Sequence, residues 1–182
     1  MLRHQIIPMK KITAVFIFCV IGTTLFSCKD DTEEELASNT WSLTPEGAAT
    51  GTYRTGTITY STQVYQTVAA KSVDNTTSGT AGINSTLTLF FATAGPPPTS
   101  TYNITSLDKL SGKANSVAIY LQTFGDPATG LNVTSWYSQE NSGQTVSFTF
   151  ADGKMSATFK DVVVKQAGTG PQTGTLSANI SQ

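Results

Sequence analysis

Thr145-Val146-Ser147-Phe148-Thr149-Phe150-Ala151-Asp152-Gly153-Lys154-Met155-Ser156-Ala157-Thr158-Phe159-Lys160 alternates apolar with polar residues on both sides of an Asp-Gly pair. Successive side chains of a strand point to opposite faces. Asp-Gly between two such runs is the signal of a two-residue type I′ hairpin, whose central residues both need positive φ. With Asp152 and Gly153 in the loop, Phe150 meets Met155, Phe148 meets Ala157 and Val146 meets Phe159 on one face. Thr149 with Ser156, Ser147 with Thr158 and Thr145 with Lys160 fall on the other. A slip of one residue would turn the whole apolar row outward, so the register is firm. Asp161 breaks the alternation before Val162-Val163-Val164, which predicts a bulge or a strand covered on both faces.

The same pattern runs outward from this hairpin. Strands are expected at Thr40–Thr44, Tyr53–Ser61, Val64–Val73, Ser85–Thr93, Thr101–Thr105, around Val117–Leu121, at Val133–Ser138, and around Leu176–Ile180. The chain is rich in Thr, Ser, Gly and Asn, residues of strands and turns. No segment carries a 3.6-residue apolar period. The expectation is an all-β domain, one antiparallel β-sandwich or partly closed barrel of about nine or ten strands, over residues 39–182. Trp41, in the first strand, reads as a core plug. Trp136 and Tyr137 are adjacent in a strand, so one belongs inside and the other outside. Pro96-Pro97-Pro98 must leave the ladder, because prolines supply no donor.

The N-terminal part is different. Residues 12–25 carry no charge and follow Lys10-Lys11. That run is shorter than the roughly 20 apolar residues of a membrane span and matches a secretory signal. Leu25-Phe26-Ser27-Cys28 resembles the lipobox of bacterial lipoproteins. The resemblance implies removal of residues 1–27, lipid on the Cys28 thiol and an acylated tether over 28–38. Each buried CH2 contributes about 0.8 kcal/mol, so two or more chains anchor stably. Lys29, Asp30 and Asp31, followed by Glu33-Glu34-Glu35, resemble the surface-export signal of Bacteroidota lipoproteins. This implies an outer-membrane protein facing the cell exterior. Ser135–Val164 also looks like the closing half of small Bacteroidota lipoprotein domains of unknown function, a resemblance that implies no activity.

Chemistry is bounded mainly by what lies beyond Cys28. The single His4 and the other cysteine, Cys19, both precede it. No Ser-His-Asp triad, catalytic thiol or Cys/His metal site is therefore expected, and no cofactor. From Cys28 onward there are 12 acidic and 8 basic residues, a net charge of −4, which disfavours nucleic acid as a partner. A carboxylate-pair hydrolase would draw on Glu46, Asp74, Asp108, Asp126, Glu140, Asp152 and Asp161, nearly all in turn sequences. That leaves a non-enzymatic module binding glycan or a surface protein as the favoured reading. Phe124, read as a loop aromatic, Trp136 and Tyr137 are its candidate ligand-binding residues. A structural subunit of a surface assembly such as a fimbria is the alternative, with Arg54 as its processing site. A hydrolase ranks last. A row of exposed rings would favour sugar binding.

Overall fold

The Asp152-Gly153 turn forms with φ of 52° and 72° at its two residues, the left-handed pair that a type I′ hairpin requires. The computed structural model describes residues 36–73, 84–125, 133–140, 143–168 and 172–182. Ten strands form one mixed sheet: β1 Thr40–Pro45, β2 Gly51–Thr62, β3 Gln66–Ser72, β4 Asn84–Phe91, β5 Ser100–Thr105, β6 Ser116–Phe124, β7 Val133–Ser138, β8 Thr145–Ala151, β9 Lys154–Gln166 and β10 Thr173–Ser181. There is no α-helix among the described residues, only a 3-10 turn at Leu107–Lys109. Residues 1–35 and 126–132 lie outside the described residues, Cys28, Lys29, Asp30 and Asp31 among them.

Pairing runs β10-β1-β2-β3-β4-β6 and then divides. Residues 116–118 of β6 pair with β5, which passes to β8 and β9, while residues 120–124 pair with β7, which meets β9 directly. β9 pairs in turn with β10. The sheet thus curls onto itself as a partly closed, sandwich-like barrel, with each strand paired on both sides over at least part of its length. Gln182 helps close the seam, donating from its backbone N to Met155 O (2.9 Å) and from Nε2 to Ile58 O (3.0 Å). One pair departs from the antiparallel expectation: β5 and β6 run parallel. Residues 106–115 make the crossover that parallel neighbours require.

The hairpin register is Phe150 with Met155, Phe148 with Ala157, Thr149 with Ser156 and Ser147 with Thr158. Pairing stops there. The expected Val146–Phe159 and Thr145–Lys160 pairs do not form. The Asp161 bulge interrupts β9 just past Thr158, and Gln144 Oε1 accepts from Val163 N there at 3.2 Å. Asp161 supplies the predicted bulge, with φ of 51° and a register shift opposite Ser177. Ser177 Oγ accepts from the Asp161 backbone N at 2.9 Å. Past the bulge Val162 and Val164 point inward and Val163 outward.

Two further devices keep the inner face apolar. Gly56 sits at a register shift between Thr55 and Thr57, where a Cβ would lie 2.9 Å from Val73 Cγ1. That extra residue turns both Tyr53 and Ile58 inward. At the centre, Phe91 packs 4.9 Å from both Tyr102 and Phe148, joining β4, β5 and β8. Trp41 is fully buried, stacks on Tyr53 at 5.9 Å, and donates Nε1–H to Ser85 Oγ at 3.1 Å. It is a core plug, as its position in the first strand implies.

Candidate functional site

The alternation that packs the interior also decides what faces out. Leu87, Leu89 and Phe91 of β4 point inward, so Phe90 points outward, as do Tyr120 on β6 and Tyr137 on β7. Tyr65, just before β3, has the same parity as Thr67, the residue opposite Phe90. Three neighbouring strands, β4, β6 and β7, and the residue that leads into β3 therefore each place one ring on one face. The rings touch in sequence. Tyr65 meets Phe90 edge-on at 6.3 Å, Phe90 meets Tyr120 at 6.5 Å with 47° between planes, and Tyr120 stacks on Tyr137 at 4.8 Å and 28°. All four are half-buried. Thr88 and Ala118, the small residues beside them on that face, are buried. The Tyr120 hydroxyl is 3.1 Å from Ser135 Oγ.

The row runs into a cleft of about 700 Å3 beside Tyr137, walled by Ser106, Leu107 and Asp108 on one side and Ser138, Gln139 and Glu140 on the other. Ser138 is buried and fixes this corner. Its Oγ donates to Thr105 O at 2.6 Å and accepts from Ile119 N at 2.8 Å. A hydrogen bond from the Ser106 side chain, with smaller contributions from its own backbone, Lys109 and Lys113, holds the Asp108 carboxyl below the usual carboxylate range. Glu140 pairs with Lys113. Burial, then the Tyr120 phenol, pushes the Tyr137 hydroxyl up, so it stays a neutral donor and acceptor. The cleft therefore offers an ionised carboxylate, an amide and a phenol beside an aromatic surface. A carboxyl held below its usual range is a poor general acid, which a glycosidase pair needs. No cluster of three metal-ligating side chains occurs among the described residues.

The three aromatic candidates separate. Tyr137 is outside, in the row. Phe124 is not in a loop. It closes β6, opposite Val133, on the same outward face as Tyr120 and half-buried. It lies beyond the Tyr120–Tyr137 pair along the strands and has no ring contact among the described residues. Trp136 points inward, 3% exposed, and its Nε1 has no hydrogen-bond partner among the described residues. Tyr65, Phe90 and Tyr120 were missed, although the apolar Phe90 on an otherwise polar face of β4 was a legible signal. Of the acidic residues, Asp108 and Glu140 meet in the cleft. Glu46 bonds Thr173, Asp152 is in the turn and Asp161 in the bulge. Asp74 and Asp126 lie outside the described residues. Arg54 lies inside β2, opposite Thr40, and its carbonyl accepts from Val73 N.

No family model matches this chain, and neither a curated protein nor a solved structure does.

Proposed function

We propose that this chain is a lipid-anchored outer-membrane protein, facing the cell exterior, whose β domain binds glycan without performing chemistry on it. The observation that carries the binding reading is the row Tyr65-Phe90-Tyr120-Tyr137, running from the start of β3 across β4, β6 and β7. The rings step 6.3, 6.5 and 4.8 Å from centroid to centroid, over strands about 4.8 Å apart, so one extended chain could touch several of them. Aromatic faces take the apolar faces of sugars. Asp108, Gln139 and the Tyr137 hydroxyl beside them supply the directional hydrogen bonds that fix orientation. The anchoring reading rests on Leu25-Phe26-Ser27-Cys28, and the outward address on Lys29-Asp30-Asp31, as in small Bacteroidota surface lipoproteins. Assembly by strand exchange has less support, since it calls for an unpaired groove.

The test is affinity electrophoresis of the full chain through gels cast with a panel of neutral and acidic polysaccharides. At least one should retard it, and Tyr120→Ala should remove most of that retardation while the circular dichroism stays that of a β protein. Failure of every polysaccharide to retard the chain overturns the binding reading. Cys28→Ser should abolish palmitate labelling and release the protein from membranes. Unchanged labelling overturns the anchor.

A further inference from the structure

The rings of the outer row share neither a line nor a plane. Phe90 is opposite Thr67 on β3 and Ala118 on β6, not opposite Tyr65 or Tyr120. Both neighbours run antiparallel to β4, so they run the same way as each other. Tyr65 precedes Thr67 and Tyr120 follows Ala118, which sets these two rings on opposite sides of the Phe90 level. Tyr120 and Tyr137 are then direct partners. The path runs obliquely from Tyr65 to Tyr120 and turns straight across the strands to Tyr137. The ring planes turn too, by 82° from Tyr65 to Phe90, 47° from Phe90 to Tyr120 and 28° from Tyr120 to Tyr137. The last two rings stack with centroids 4.8 Å apart, too close for rings lying side by side in one plane, so they overlap face against face. Beneath them the sheet rotates by about 20–25° from strand to strand, and its outward side is convex because the sheet closes on itself.

Resting on the glycan reading of this row, we propose that its ligand is a single soluble polysaccharide chain that bends across several rings, and not the flat face of a crystalline polysaccharide. A flat face stacks on rings that lie side by side near one plane. No neighbouring pair in this row is so placed: two pairs are turned by 47° or more, and the third is stacked on itself. A single chain rotates about each glycosidic bond, so successive sugars can meet rings turned relative to one another and follow the bend at Tyr120. Ordering such a chain costs free energy, which several contacts together must offset. Affinity therefore grows with chain length, as each added sugar reaches the next ring.

The experiment uses the full chain. It is sedimented with microcrystalline cellulose and with crystalline chitin, and run through gels cast with hydroxyethylcellulose, glycol chitin, xylan and pectin. At least one soluble polysaccharide should retard it, and neither solid should carry down more of it than of Tyr120→Ala. Oligomers cut from the retarding polysaccharide should compete, with affinity rising at least tenfold from disaccharide to hexasaccharide. Tyr65→Ala lies outside the strands and is the milder change if Tyr120→Ala fails to fold. It should weaken the hexasaccharide at least fivefold. Sedimentation with either solid that Tyr120→Ala or Tyr65→Ala abolishes in folded protein overturns this inference and leaves the glycan reading standing. So does an affinity that fails to rise with length. Sedimentation that survives both changes arises elsewhere on the chain, and the length series then decides. Binding to no soluble polysaccharide and to neither solid overturns the glycan reading and this inference with it.

Discussion

Tyr120 and Tyr137 are direct partners across β6 and β7, and their rings stack 4.8 Å apart. A cross-strand aromatic pair contributes about 0.5–1.5 kcal/mol beyond the area it buries. The same pair joins the ring row to the Asp108–Glu140 cleft, so stability and the proposed recognition would meet in two side chains.

Tyr137→Phe should keep the stack, and with it most of the polysaccharide retardation and a urea midpoint near wild type. Tyr137→Ala should lose the retardation and about 1–2 kcal/mol of stability. Gel retardation and urea unfolding of the three proteins check both. If the Phe variant loses as much retardation as the Ala variant, the hydroxyl rather than the ring carries recognition.

Phe148 is 1% exposed and touches both Phe91 and Tyr102, while its neighbour Thr149 is exposed. Phe148→Ala should cost about 3–5 kcal/mol. Thr149→Ala should change stability by less than about 0.5 kcal/mol. A domain has only about 5–15 kcal/mol in hand, so the first variant should unfold at much lower denaturant. Similar losses from both would contradict the assigned faces.

Two of the three left-handed residues of β8–β9, Gly153 in the turn and Asp161 in the bulge, make a separate prediction. Gly153 has φ of 72° and open space where a Cβ would go, so strain alone limits substitution. Gly153→Val should cost about 1–3 kcal/mol and Gly153→Asn markedly less, since Asn tolerates that region. Asp161→Val should also destabilise. It forces a β-branched residue to positive φ at the bulge and removes the carboxylate from Ser177 Oγ, 3.3 Å away. Thermal unfolding of the three variants ranks these costs, and a Gly153→Asn loss equal to that of Gly153→Val would rule strain out.

What was legible followed from short-range pattern. The Asp-Gly turn, the inward row of Leu87, Leu89 and Phe91, the burial of Trp41 and the opposed faces of Trp136 and Tyr137 all come from a period of two and turn chemistry. What was not legible depends on which strands become neighbours. Nothing local places Phe90 beside Tyr120, because β5 is inserted in sequence between β4 and β6. The early end of the Phe148 hairpin differs too, since the pairing stops at Ser147–Thr158, just before the Asp161 bulge. Phe124 was assigned to a loop because Gly125 follows it, yet pairing with Val133 extends β6 through it.

The alkaline limit of the fold can be argued from three phenols. Burial raises the hydroxyls of Tyr53, Tyr102 and Tyr137 above the ordinary value of 10.0, and Tyr102 also donates to Pro98 O at 2.7 Å. In the unfolded chain these groups lose their protons near the ordinary value, whereas the folded chain holds them to higher pH. The folded state then binds more protons, so stability falls with rising pH. This contribution is whole below about pH 10 and is lost as pH climbs through the folded-state values. Phenolate absorbance followed together with circular dichroism should show part of the six-tyrosine signal appearing late and together with loss of the sheet. Tyr102→Phe should shrink that late step by one tyrosine. If all six ionise together near 10 while the sheet signal stays intact, burial does not hold these three protons.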